Sequence, residues 1–146
     1  MKLFSMLRAI SLSLLLSLAA FGAKAQSLQA TAFSSITGPS SNSTLVTGAG
    51  QTLLKWIVAT NTGANTNYLR LYNKATAPTC GTDVPIIRIP LLPTSATSSN
   101  GQFVMAFDDT RFTLGIGFCV TKGTGADNDA TAADAGLFIN LGYFNQ

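Results

Sequence analysis

The side chains that most often carry out acid–base, nucleophilic or metal chemistry are missing from this sequence. It contains no histidine and no glutamate, so neither a Ser-His-Asp nor a Cys-His arrangement can be assembled. The G-x-S-x-G motif, the P-loop and the dinucleotide-binding fingerprint are also absent. The sequence therefore favours a protein that is not an enzyme and that uses no cofactor.

Paired carboxylates occur at Asp108 and Asp109, directly before Thr110 and Arg111. A small Asp-dependent hydrolase is one interpretation of this pair. The other is a turn over Asp108–Thr110, in which aspartate accepts hydrogen bonds from backbone amides and pairs locally with Arg111. The turn is the favoured interpretation.

A second acidic group, at Asp127, Asn128, Asp129 and Asp134, is the best candidate for calcium, which prefers carboxylate, amide and carbonyl oxygens. The group does not follow the spacing of a calcium-binding loop, and the terminal glutamate is missing. A solvated polar loop is the favoured interpretation, and no metal is expected.

Two tyrosines and an arginine share one face of a short alternating segment. Leu69 and Leu71 point one way, while Tyr68, Arg70 and Tyr72 point the other way. Aromatic rings beside a guanidinium form a platform suited to a carbohydrate or a peptide. The alternative is a sheet face that is merely exposed or is buried between subunits.

The two cysteines, Cys80 and Cys119, allow one internal disulfide. Such bonds form in oxidising compartments, and closing a loop of about 40 residues stabilises a fold by roughly 4 kcal/mol in the chain-entropy description. Two separate buried thiols are the alternative, and the bond is the favoured one.

The N-terminal segment has the features of a bacterial secretory signal. Lys2 and Arg8 precede an apolar run from Ala9 to Phe21, which ends in the small-x-small sequence Ala23-Lys24-Ala25. The run is too short to cross a bilayer comfortably. Residues 1–25 are therefore predicted to be a cleaved signal peptide, and residues 26–146 to be one secreted or periplasmic domain without an integral membrane segment.

Removal of this signal changes the charge of the chain. Three of the nine cations leave with it, and the remaining six balance the six aspartates. A nucleic-acid partner is excluded, because such proteins need a basic surface. We therefore expect the domain to bind either copies of itself or a glycan or protein on a surface.

The residues after the signal predict an all-β domain, because apolar alternation recurs between clusters of Gly, Asn, Thr, Ser and Pro. Eight or nine short strands separated by turns favour a single β-sandwich with a jelly-roll arrangement. The predicted strands are Gln26–Thr37, Thr44–Thr47, Thr52–Thr60, Tyr68–Tyr72, Val84–Leu92, Gln102–Phe107, Phe112–Thr121 and Gly136–Phe144.

Three of these strands have faces or positions that the sequence pattern predicts in detail. Strict alternation places Leu54, Trp56 and Val58 on one face, and Trp56 is expected in the core. The segment Phe112–Thr121 is expected to offer Leu114, Ile116, Phe118 and Val120 to the core. Pro85 and Pro90 place the strand Val84–Leu92 at a sheet edge or bulge.

Two stretches of the chain carry a resemblance. They are residues 68–85, which begin Tyr68-Leu69-Arg70-Leu71-Tyr72, and Gly115-Ile116-Gly117-Phe118 with the later Gly125-Ala126-Asp127-Asn128-Asp129. The sequence from about Leu53 to Tyr143 resembles small β-sandwich virion-associated proteins of tailed phages and prophages. This resemblance implies assembly or surface attachment and supplies no catalytic residues. The chain departs from such proteins in its export signal and its cysteine pair.

Together these features predict an exported, non-enzymatic structural or surface-binding module that self-associates. The first alternative is a carbohydrate-binding module that uses Tyr68, Arg70 and Tyr72. The second is the hydrolase based on Asp108 and Asp109.

Overall fold

A computed structural model describes residues 31–37, 42–94 and 101–146, in which the regular elements are eight β-strands. Of the first strand only the backbone pairing is described, and the predicted signal peptide lies outside the described residues. The strands are β1 Thr31–Thr37, β2 Thr44–Leu45, β3 Thr52–Asn61, β4 Asn67–Asn73, β5 Ile87–Leu91, β6 Gln102–Phe112, β7 Ile116–Lys122 and β8 Leu137–Asn145.

The strands form two four-stranded antiparallel sheets. Sheet A has the order β1-β8-β3-β6, and sheet B has the order β2-β7-β4-β5. The first strand pairs with the eighth, the second with the seventh, the third with the sixth and the fourth with the fifth. This is a long antiparallel ribbon wound so that successive pairs alternate between the sheets, which is the jelly-roll arrangement. The predicted all-β sandwich, its topology and its number of strands are confirmed.

The core lies between the inner faces of the two sheets. Both sheets contribute alternate apolar side chains, as expected for strands with one buried face. Sheet B contributes Leu69 and Leu71 of β4 together with Ile116, Phe118 and Val120 of β7, all fully buried. Sheet A contributes, among others, Leu54, Ile57, Ala59, Leu137, Ile139 and Leu141.

A β-bulge in β3 overturns the predicted faces of that strand. The pairing with β8 changes from Leu54↔Tyr143 to Trp56↔Gly142, so Lys55 is one extra residue inserted between two successive pairs of the ladder. One extra residue reverses the alternation beyond it. Leu54 therefore lies inside with Ile57 and Ala59.

Trp56 lies on the outer face of sheet A, not in the core as predicted. Its indole is half-buried, and a Cβ atom built on Gly142 would lie 2.1 Å from the Cε2 and Nε1 atoms of the ring. The glycine therefore makes room for the indole to lie against the backbone of β8.

Three further expectations are corrected. The predicted turn at Asp108–Thr110 is part of the long strand β6, because Phe107, Asp108 and Asp109 face the bulged Lys55 and the ladder resumes at Leu54↔Thr110. Leu114 is exposed, since it lies in the connection between β6 and β7. The strand predicted over Val84–Leu92 begins only at Ile87, and Val84 is exposed.

We expect Gly142→Ala to push the indole of Trp56 away from the sheet. The added methyl group overpacks this contact, so the free energy of unfolding should fall by about 1–3 kcal/mol. Because the chain has one tryptophan, emission should shift to longer wavelength as the ring enters water. Gly48→Ala is the matched control, because its new Cβ atom would contact nothing within 4 Å. Unchanged emission in Gly142→Ala would contradict the stacked position of the indole.

Candidate functional site

The side chains of the predicted ligand platform point to the outer face of sheet B. Their direction follows from Leu69 and Leu71, which face the core between them. Arg70 and Tyr72 are fully buried, however, and Tyr68 is half-buried. The structure therefore corrects the expectation of an open platform, because two loops cover this face. A glycan or peptide would have to displace a loop to reach Arg70 or Tyr72.

Arg70 anchors the first of these loops, residues 123–136 between β7 and β8. Its Nη2 atom donates to the carbonyl oxygen of Ala126 at 2.7 Å, and its Nη1 atom donates to that of Asp129 at 3.2 Å. Nη1 also donates to the hydroxyl of Thr121 on the neighbouring strand. The three acceptors are uncharged oxygens, so the guanidinium is held by dipoles and not by an ion pair.

The ring of Tyr68 completes this anchor. The guanidinium carbon of Arg70 lies 6.0 Å from the centre of the ring. A Cβ atom on Gly125 would lie 2.7 Å from the same ring, so the loop packs directly against it. Gly125 also has φ of +75°, a conformation that favours glycine.

The second loop, residues 74–86 between β4 and β5, is fixed to the same face by the disulfide. The predicted pairing is confirmed, since the sulfur atoms of Cys80 and Cys119 lie 2.08 Å apart. Cys119 is the partner of Arg70 in the ladder between β7 and β4. The cysteine pair is compatible with an oxidising, extracellular location.

The two loops also meet each other. A Cβ atom on Gly81 would lie 2.8 Å from the Cβ atom of Ala130, so the loops touch above the sheet. Arg88 of β5 donates two hydrogen bonds to the carboxylate of Asp127, and these bonds lower the pKa of Asp127. We call the two loops together the sheet B cover.

Two polar atoms beneath this cover have no hydrogen-bond partner among the described residues. They are Nε of Arg70 and the hydroxyl oxygen of Tyr72. Burial raises the pKa of the Tyr72 hydroxyl. The tyrosine therefore stays neutral and serves mainly as an apolar ring.

The residues proposed for calcium point their carboxylates in different directions. Asp127 binds Arg88, and Asp129 accepts hydrogen bonds from the amides of Thr124 and Thr131. Asp134 lies at the far end of the cover, where it accepts hydrogen bonds from Lys122 Nζ at 3.0 Å and Asn65 Nδ2 at 2.9 Å. Within the described ranges, no three acidic or cysteine side chains form a group that could hold a metal ion.

Asn128, the remaining residue of that candidate, is exposed, and its carbonyl oxygen faces Gly81. The side chains of the acidic segment thus make contacts that organise the loop. Its carboxylates accept hydrogen bonds that hold the loop in shape.

Near this loop lies a shallow depression with a volume of about 370 Å³. Its lining residues are Asn65, Thr66, Lys122, Gly123 and Thr131. Lys122 is already paired with Asp134, and Asn65 donates to the same carboxylate. Asp108 is exposed on β6 and is not among the lining residues, and the side chain of Asp109 is not described. Among the described residues, the lining of the depression contains no aspartate.

The outer face of sheet A is different, because it leaves apolar side chains exposed to solvent, with the polar Thr60 and Asn140 among them. Val104 is 64% exposed and Phe138 is 39% exposed. Ala106 is exposed, while Val58 and Trp56 are half-buried. The register places Val58 beside Val104, and Trp56 beside Ala106. We call these five residues the sheet A face.

Sequence reasoning missed this face for a specific reason. The bulge at Lys55 removes Trp56 from the predicted core. The sequence of β6 could have indicated this face, because both sides of the strand are apolar. Phe103 and Phe107 pack against the core, while Val104 and Ala106 point outward. Met105 is 42% exposed because β6 is an edge strand.

Comparison with known proteins gave no match among family models, curated proteins or solved structures. The resemblance to phage and prophage virion-associated proteins therefore stays a prediction. In the part of the chain that the structure describes, no helix is both long and apolar enough to cross a bilayer.

We expect Tyr72→Phe and Arg70→Met to differ strongly in stability. Removing the unpartnered hydroxyl should change the free energy of unfolding by less than about 1 kcal/mol. Removing the guanidinium leaves two loop carbonyls without their donor and should cost about 2–3 kcal/mol. Urea unfolding measures both values. Equal losses would show that the tyrosine hydroxyl has a partner in the folded protein.

The cover should also weaken in acid through Asp129. Hydrogen bonds from Thr131 lower the pKa of Asp129 from 3.8 to about 2. A lowered pKa in the fold means that the carboxylate contributes its full stability above about pH 4, and that this contribution is lost as the pH falls through about 2. The stability difference between wild type and Asp129→Asn should therefore shrink across this range. Asp108→Asn serves as an exposed control, and a difference independent of pH would contradict the account.

Proposed function

We propose that residues 26–146 form an exported, non-enzymatic structural module that associates with copies of itself through the sheet A face. One observation carries this proposal. The two outer sheet faces are unequal, because loops cover that of sheet B while that of sheet A leaves Val104, Ala106 and Phe138 exposed. Contiguous apolar residues on a soluble surface mark sites of association.

The charge balance supports a second copy as the partner. After removal of the predicted signal, six cationic residues balance six aspartates, so two copies do not repel each other through net charge. Proteins with net charge near zero tend to associate. The five residues of the sheet A face are uncharged, so two copies that meet at Val104 bring no like charges together there.

The predicted export agrees with the cysteine pair. The disulfide holds the 74–86 loop on sheet B, and such bonds persist in oxidising compartments. The resemblance to virion-associated proteins supports assembly, while the export signal and the cysteine pair are the two features in which this chain departs from them.

The carbohydrate alternative has less support. Two of its three residues, Arg70 and Tyr72, are buried under the sheet B cover. Of the two tyrosine rings, that of Tyr68 reaches the surface, and Gly125 packs on it. A glycan-binding role would therefore require the cover to open.

We expect the mature protein to show a molar mass that rises with concentration in light scattering. Val104→Lys places a charge on the sheet A face and should raise the dissociation constant at least about tenfold, equivalent to about 1.4 kcal/mol. Val84→Lys is the matched control, because Val84 is 75% exposed and lies outside the face. Circular dichroism confirms that both variants are folded.

A strict monomer at the highest concentration would refute the proposed self-association. Equal weakening by the two substitutions would show that association depends on general charge and not on the sheet A face.

A further inference from the structure

Strand β6 is the exposed edge of sheet A. The order β1-β8-β3-β6 gives it one neighbour, β3. Among the described residues, no backbone hydrogen bond outside the ladders involves residues 102–112. Half of the amide and carbonyl groups of an edge strand face away from its neighbour, so this side can accept another strand.

The first half of this edge lacks the usual protection against pairing. Between Gln102 and Phe107 there is no charged residue and no proline, and Val104, Met105 and Ala106 are exposed. The outer edge of sheet B is protected, because β5 contains Arg88 and Pro90. Charges and prolines on edge strands are the common devices that prevent pairing between molecules.

The bulge limits the available length. Phe107, Asp108 and Asp109 face the single residue Lys55, which bends the strand and places the first charges beyond it. The flat, uncharged segment suited to pairing is therefore residues 102–106.

We propose that two copies of the chain pair antiparallel through this segment, about a two-fold axis at Val104. This inference rests on the proposed self-association and places the contact at the β6 edge of the sheet A face, where Val104 belongs to both. The axis places Val104 opposite Val104, Phe103 opposite Met105 and Gln102 opposite Ala106. All three pairs are uncharged, and the contact is isologous, so it closes as a dimer.

The pairing creates one eight-stranded sheet from the two copies of sheet A. It aligns the two sheet A faces on the same side, since residues directly opposite each other in a ladder share a face. Val58 and Trp56 of each copy then flank the seam, with Phe138 one strand further out.

Cysteine crosslinking of the mature, disulfide-bonded protein tests this geometry. Both native cysteines are bonded to each other, so one substitution adds one thiol. In Val104→Cys the two introduced cysteines face each other across the axis, with Cα atoms about 4.5–5.5 Å apart, within the range that a disulfide spans. In Ala106→Cys each introduced cysteine lies opposite Gln102 of the other copy, four residues away from the second cysteine, and the two are too far apart to bond.

We expect mild oxidation to give at least about tenfold more covalent dimer for Val104→Cys than for Ala106→Cys, because a disulfide tolerates little extra separation. Non-reducing electrophoresis and light scattering under the same conditions supply the two readouts. Association without a preference for Val104→Cys would overturn the edge pairing and leave the proposed function standing. Absence of association in the wild-type chain would overturn both.

Discussion

The buried guanidinium of Arg70 is the constraint on which the surface of this protein depends. A charged group removed from water is costly unless its donors find acceptors. Arg70 finds them in one hydroxyl on its own sheet and in the carbonyls of Ala126 and Asp129. Because both carbonyls belong to one loop, satisfying the arginine fixes that loop over sheet B. The disulfide fixes the neighbouring loop over the same sheet, and the two loops touch at Gly81 and Ala130.

This arrangement determines which surface is available to a partner. The side chains with the most obvious recognition chemistry are used for internal organisation, as are the carboxylates of Asp127, Asp129 and Asp134. The sheet A face has no such cover among the described residues, and it ends at β6, whose first half carries no charge. The proposed function follows from this contrast between a face closed by the protein's own loops and a face that leaves apolar side chains exposed.

Much of the fold was predictable because it depends on local patterns. Alternation with a period of two, interrupted by turn residues, defines strands, and Ile116, Phe118 and Val120 face the core as expected. The cysteine pair was predictable because an oxidising compartment favours its bond. Alternation does not reveal an extra residue, however, so the bulge at Lys55 and the outward position of Trp56 were missed. Nor does it distinguish a solvent-exposed face from one covered by a distant loop, which is why Arg70 and Tyr72 were expected at the surface.

The most direct test of the whole account is hydroxyl-radical footprinting of the mature protein over a range of concentrations. At low concentration, the account predicts that Met105 and Tyr68 are oxidised while Tyr72 is protected beneath the sheet B cover. At high concentration, Met105 on the β6 edge should become protected while Tyr68 remains as reactive as before. Labelling of Tyr72 equal to that of Tyr68, or reactivity of Met105 that does not change with concentration, would contradict it.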